Sequence, residues 1–599
     1  MWNWQLQTMR SSVLGIQHQP LSKNHPIPSS HRTDVPHRTY TLLAPRFTKQ
    51  FSFTAAGFAP TFLHAGPHPK QKSLPKATTR LMLKARPFRE VLMRSLFLTP
   101  TPALTLSLTL ILSLALPLPL KAEKNPEPPV RDLILHVLNR MTFGPRPTEL
   151  AQLEKTGRPG LEKWMRQQMN PDEISDTSLE LKMKAYPSLD LEPKDAFAQY
   201  PNTKNQKPQI ETKKPYTLVQ DLIATKLIRA VESKKQFEQV LLDFWFNHFN
   251  VEVTKGNIKY FAADYQEKIL RRHLFGKFED LLLATAHHPA MLIYLDNARS
   301  RKGNINENYA REVMELHTLG VDGGYTQKDV ETLAQILTGW TITRDNEDPG
   351  FVFRPKLHDN GATEFLGQPV MNQGEEQGVL ALKQLAHSPH TARFISGKLI
   401  RAFVADPAPP LLLEKISEVF LKTNGDLRKV YEALFFSSEF LSLKHAHEKM
   451  KKPLWAVASS VRSCGGEVLN PNRLIRAMSE MGEDLYKCSP PTGYVDDPKR
   501  WINAGSMILR LQFALDLTSE KTDGLYCSWD FTGPAKNLDQ WINQIARHHL
   551  NMDLKSQTLK VISREISQEP LEFANEEIRP SQYLKTLGLL LASPEFQER

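Results

Sequence analysis

The central run Asn308-Tyr-Ala-Arg311-Glu312-Val-Met-Glu315-Leu-His317 has residue types and spacing that suit chemistry. On a helix, Asn308, Arg311, Glu312 and Glu315 fall at i, i+3, i+4 and i+7, which is one stripe. Carboxylates three residues apart reach a common cation or set each other's pKa. His317 lies just off the stripe. His358 and Asp359 sit in a Gly-, Asn- and Pro-rich loop over 345–378, and His248 lies on a separate apolar helix. The functional reading makes Glu312, Glu315 and His317 acid–base groups for hydrolysis, with Asn308 and Arg311 binding substrate. In the same reading Glu312, Glu315, His358 and Asp359 hold a divalent metal. The competing reading is a buried ionic network in which Arg311 pairs with Glu315 or Glu307. Both readings turn the stripe inward. His248 shares its face with Phe237, Leu241 and Phe244 and reads as a satisfied core histidine.

Other patterns carry less. Asp322, Gly323 and Asp329 match the back half of a calcium loop, but its first positions lack carboxylates, so a turn and helix cap are expected. His445-Ala-His447-Glu448 is followed by Lys449, Lys451 and Lys452 and reads as a solvated helix end. Cys488-Ser-Pro-Pro-Thr-Gly-Tyr494 reads as a rigid turn lining a cleft through Tyr494 and Trp501, both counted as binding residues. There is no GxxxxGK[ST], GxGxxG, GxSxG or HExxH. P-loop, Rossmann, typical α/β-hydrolase and zincin chemistry are therefore disfavoured.

The elements that must position these residues are helices. Leu218, Val219, Leu222 and Ile223 recur at helical spacing, as do Phe237, Val240, Leu241, Phe244 and His248, and Val330, Leu333, Leu337 and Trp340. Thr326 and Asp329 have capping-box spacing, with Asp replacing Glu. Alternation typical of strands is scarce. Gly350-Phe-Val-Phe-Arg-Pro355 is the candidate arm of a short hairpin. The class is all-α: a large multi-helix domain with long loops and at most one short β-hairpin, preceded by a disordered leader. Residues 172–214, rich in Lys, Pro, Asp and Asn, read as a low-order insertion. Leu434-Phe-Phe-Ser-Ser-Glu-Phe440 echoes Leu590-Leu-Ala-Ser-Pro-Glu-Phe596 and suggests two similar helix ends. The three cysteines, Cys464, Cys488 and Cys527, allow one disulfide at most; a Cys464–Cys488 bridge and three buried thiols both remain open.

Charge divides the 599-residue chain. Its net charge of +11 resides in residues 1–92, which hold 13 Lys and Arg against Asp34 and Glu90. That Pro-, His- and Ser-rich stretch has no apolar period and reads as a disordered basic leader or a start codon placed too early. Residues 93–122 read as a signal peptide. Their uninterrupted apolar core, Ala103–Leu116, is 14 residues. At 1.5 Å per residue it reaches about 21 Å, short of a bilayer core of about 30 Å. Cleavage is expected after Ala122; an uncleaved membrane anchor is the alternative. The remaining body, 123–599, holds 61 basic and 63 acidic residues, a balance that gives nucleic-acid binding no electrostatic support.

Several motifs carry a resemblance. They are Leu138-Asn-Arg-Met-Thr-Phe-Gly-Pro145, Phe244-Trp-Phe-Asn-His-Phe249, Asn306 to Gly320 continuing to Trp340, His358-Asp-Asn-Gly361, Thr391-Ala-Arg-Phe-Ile395 and Cys488 to Tyr494. In content and order, from about Arg131 to Phe596, they resemble the bacterial domain-of-unknown-function 1800 family. The resemblance implies a large exported protein, encoded beside a family of unknown function numbered 1501 that resembles alkaline-phosphatase-like enzymes. It supplies no catalytic residues. The expectation is a binding or assembly protein of the periplasm or cell surface working with such a partner, touching membrane only through an uncleaved N-terminal segment. The alternative is a hydrolase using the Glu312/Glu315/His317 cluster, with or without metal.

Overall fold

A computed structural model of the chain describes residues 128–599 apart from 203–212, 344–347, 372, 520–521, 528, 530–534, 536 and 569–579. The leader and the apolar run at 93–122 lie outside the described residues. No helix among the described residues is long and apolar enough to cross a membrane. All described residues belong to one compact unit, and its elements are helices with short antiparallel strand pairs between them.

The helix Gln236–His248 shows how the core is built. Phe237, Val240, Leu241 and Trp245 are buried at helical spacing. Phe237 meets Phe435 edge-on at 4.9 Å and Tyr431 at 5.8 Å. Trp245 donates its indole N–H to the Tyr431 hydroxyl at 2.7 Å, which in turn donates to the Leu274 carbonyl at 3.0 Å. The buried polar ends of this aromatic cluster are thus satisfied in series, as burial requires.

Starts and stops follow local chemistry. Ser388 caps Pro389–Phe403 by accepting from the His390 amide, with proline at the first helical position. The Thr326–Asp329 capping box forms with both arms. The two echoed segments also fold alike. Ser437 and Ser593 each accept from the amide three residues on, Phe440 and Phe596, and both phenylalanines are buried.

Three expectations need correction. The strand Phe351–Phe353 does form the expected hairpin arm, against Trp340–Ile342, but two further pairs accompany it: Glu364–Phe365 with Gln368–Pro369, and Glu467–Val468 with Leu525–Tyr526. Residues 172–202 are not of low order. They form the short helices Thr177–Met183 and Pro193–Gln199 and two 3₁₀ turns, anchored by buried Leu179, Leu189, Ala196 and Tyr200. Pro171 is buried in the first turn as well, and Pro opens three of the four elements; such sparse apolar anchors hold a segment that looks polar when averaged. The disulfide joins Cys464 to Cys527, not Cys488, which is a buried thiol. The 467–468/525–526 strand pair brings the two half-cystines together from 63 residues apart.

Candidate functional site

The central stripe begins on the helix Asn308–Glu312 and then changes geometry. Val313–Thr318 is a π-helix, in which the Leu319 amide reaches back five residues to the Met314 carbonyl at 2.8 Å. That extra residue turns His317 into the core. Its ring lies 5.0 Å from Phe249 and 5.9 Å from His248 and makes no hydrogen bond among the described residues. Burial, with the Lys398 charge added, pushes its pKa down to about 3, so it is neutral.

The stripe itself is not turned inward. Asn308 is exposed and ties its amide to the Leu295 carbonyl at 3.2 Å. Arg311 pairs with Glu307 at 3.0 Å and with Gln327 at 2.8 Å, not with Glu315. Glu312 and Glu315 are half-buried, and neither has a hydrogen-bond or ion-pair partner among the described residues. Burial, then the neighbouring Glu315 charge, raises the Glu312 pKa against the pull of Arg311. The Glu315 charge thus acts on Glu312, whereas the charge that acts on His317 is Lys398.

The four proposed metal ligands are not assembled. Among the described residues no group of three or more His, Cys, Asp or Glu side chains is placed to hold a metal ion. His358 is buried, with Nδ1 donating to the Thr338 carbonyl at 2.8 Å and Nε2 at 3.1 Å from Gln377 Oε1. Asp359 accepts from Gln335 at 3.1 Å and from the Gly361 amide at 3.0 Å, and these bonds lower its pKa. These bonds tie the loop to Gln335, Thr338 and Gln377. His445 likewise pairs with Glu448 at 2.9 Å. The lysines after it are not solvated: Lys449 and Lys451 are buried, because their backbone bonds to the chain end at Arg599 and Gln597.

A different arrangement gathers the motifs. The helix Gln236–His248 presents Asn247 and His248 to a cleft of about 350 Å³. His248 donates Nε2–H to the His317 carbonyl at 3.1 Å, so Nδ1 is the acceptor for the Lys398 ammonium at 2.9 Å. Burial, then Lys398, keeps the imidazole well below its ordinary pKa and neutral. Asn247 clasps the 488–494 turn: its amide donates to the Tyr494 carbonyl at 2.8 Å and its oxygen accepts the Tyr494 amide at 2.7 Å. Asn250 donates to the Cys488 and Pro490 carbonyls at 2.9 and 3.0 Å. Gly493 is required there; its φ is +69°, and a Cβ would lie 2.3 Å from the Asn247 carbonyl. Tyr494 lines the cleft. Trp501 sits behind it, 5.8 Å away and buried, with its indole donating to the Val495 carbonyl.

Lys398 and Arg401, one turn apart on Pro389–Phe403, were not legible as site residues. The one available signal is a pair of cations beside the apolar face made by Ile395, Leu399 and Phe403. Lys398 is pushed down to about 8 by burial and by Arg401. Elsewhere in the cleft, charges are matched. Burial raises the Asp243 pKa, but Lys226 at 2.6 Å and Lys452 outweigh it and hold the group below its usual value. Asp496 is likewise held low, against burial, by Lys452 and by Lys449 at 2.9 Å. A larger cleft of about 440 Å³, lined by His136, His447 and Lys451, shares Arg599 with this one. Asn247, His248 and Tyr494 line only the smaller.

A family model described as "Protein of unknown function (DUF1800)" matches residues 136–598. No curated protein and no solved structure matches the chain.

Proposed function

The chain belongs to the DUF1800 family, and from that premise we propose that it is an exported binding or assembly protein of the periplasm or cell surface whose recognition site is the His248–Lys398 cleft. One observation carries this reading. Side chains from separate motifs spend their hydrogen bonds holding a cleft open, while Glu312, Glu315 and His317 do not converge on a reacting point. The volume falls within the range of about 300–1,000 Å³ usual for small-ligand sites. Export draws support from the Cys464–Cys527 bond, since disulfides persist in oxidising compartments.

The test is recovery from cells. After osmotic shock the chain should leave in the periplasmic or envelope fraction with Glu123 at its N terminus. It should carry a ligand or partner that a cleft-filling Thr492→Trp variant has lost. A protein of the neighbouring-encoded 1501 family is the first partner to seek in that fraction. An unprocessed cytosolic product, or equal capture by both forms, defeats the reading.

A second reading, hydrolysis at Glu312 and Glu315, is favoured by one fact: two unpartnered carboxylates, one with a raised pKa, suit an acid–base pair. A hydrolytic activity lost in Glu312→Gln and Glu315→Gln at unchanged stability would establish it.

A further inference from the structure

Three cations line the His248–Lys398 cleft, and two of them, Lys398 and Arg401, have no carboxylate partner among the described residues. Lys398 gives one N–H to His248, which leaves two donors without an acceptor among the described residues. Arg401, a turn later, has no hydrogen-bond or ion-pair partner among the described residues. Arg599 is 5% exposed and stacks over Trp455, 3.6 Å from the ring centroid. Its Nε and Nη1 are buried and unpaired, and its Nη2 makes one long bond, 3.5 Å, to the Ala402 carbonyl beside Arg401.

Buried N–H donors without acceptors cost free energy, and buried cations without counter-charge cost more. The carboxylates of the same cleft relieve this only in part: Asp496 and Asp243 act on Arg599 through space, and neither bonds it. Asp243 is engaged by Lys226 and Asp496 by Lys449. Asp497 is exposed and caps the Lys499 amide at 2.9 Å, and Asp406 is exposed. Phe244, Trp455 and Tyr494 supply aromatic wall between these groups.

We infer that the cleft binds an oxyanion, a carboxylate or phosphate carried on a ligand with an apolar or aromatic body, held by Lys398, Arg401 and Arg599. Guanidinium groups suit both oxyanions because their planar fork offers paired donors. Lys398 adds a point charge whose direction is fixed by His248, and His248 is fixed in turn by the His317 carbonyl. The inference rests on the proposed binding role and names the chemical class of what is bound.

The test follows tryptophan emission, through Trp455, of the full chain titrated with benzoate, inorganic phosphate and benzyl alcohol as neutral control. Saturation by benzoate points to a carboxylate ligand and saturation by phosphate to a phosphate ligand; either supports the inference. Lys398→Met and Arg401→Gln should each weaken that binding at least about tenfold, the loss of one charge-assisted contact. Arg401 is only partly buried, so its variant stays informative if Lys398→Met misfolds. No saturation with either anion, equal saturation by benzyl alcohol, or unchanged affinity in Arg401→Gln overturns the inference. Such a result, with envelope capture still sensitive to Thr492→Trp, would remove the anion and leave the binding role standing.

Discussion

At the scale of single residues, His317 and Asn247 give opposite lessons. His317 has the character of a catalytic group in the sequence and is a neutral core residue in the fold. Its folded pKa of about 3 lies below the ordinary histidine value, so the unfolded chain binds the proton more readily. The sign follows: its contribution is fully present above about pH 6.5 and is lost as pH falls towards 3. His136, also lowered to about 3 by burial and by Arg140, acts in the same direction. Urea midpoints should therefore drop between pH 7 and pH 5. His317→Phe should flatten that drop by up to about 1.4 kcal/mol per pH unit; an unchanged slope would place the titration elsewhere. Asn247 looks like a neutral amide in a hydrophobic helix, yet it holds the cleft's outer turn by two bonds. Asn247→Ala should cost about 2 kcal/mol, two modest bonds plus partners left unpaired. Proteolysis between Cys488 and Trp501 should speed up in parallel, which would separate a loosened turn from general destabilisation.

At the scale of elements, what could be read was what depends on neighbours in sequence. Helical periods, the Thr326–Asp329 box and the paired Ser-x-Glu-Phe caps are local bargains between side chains and the next few amides, so spacing reveals them. Thr326→Ala should lower stability by about 1 kcal/mol. Asp329→Ala should lower it more, because Asp329 also accepts the Leu366 amide at 3.2 Å and so anchors the 364–369 hairpin. Paired thermal melts would show the order; equal losses would mean that the hairpin anchor contributes nothing. The stripe through Asn308 and Glu315 misled because it assumed α geometry throughout. A π-helix is set by what its shifted carbonyls meet, here the Thr318 hydroxyl on Val313 and the His248 ring on His317. The second of those partners comes from a helix 69 residues earlier. The cleft was hidden for the same reason. Lys398 becomes a site residue only when the helix Gln236–His248 and the 488–494 turn are brought beside it, and no spacing encodes that meeting.

At the scale of the whole molecule, the disulfide ties stability to location. Cys464 ends the helix Pro453–Ser463 and Cys527 follows the strand Leu525–Tyr526, so the bond closes a loop across the 467–468/525–526 strand pair. Shortening the unfolded chain's reach over that span corresponds to roughly 4 kcal/mol in a chain-entropy account, with 2–4 typical in practice. Reduction, or Cys464→Ser, should therefore lower the melting temperature by several degrees. Cys488 should not share in this: it is buried, and burial pushes its thiol up to about 11, which suppresses the thiolate at neutral pH. Protein purified from the periplasmic fraction should show no rapidly reacting thiol when native, one when denatured, and three when denatured after reduction. Cytosolic expression should yield three on denaturation and the lower melting temperature, because that compartment keeps thiols reduced. If both preparations give three thiols and melt together, the bond does not form in the cell. The disulfide support for export would then fall, leaving the apolar run Ala103–Leu116 to carry that reading alone.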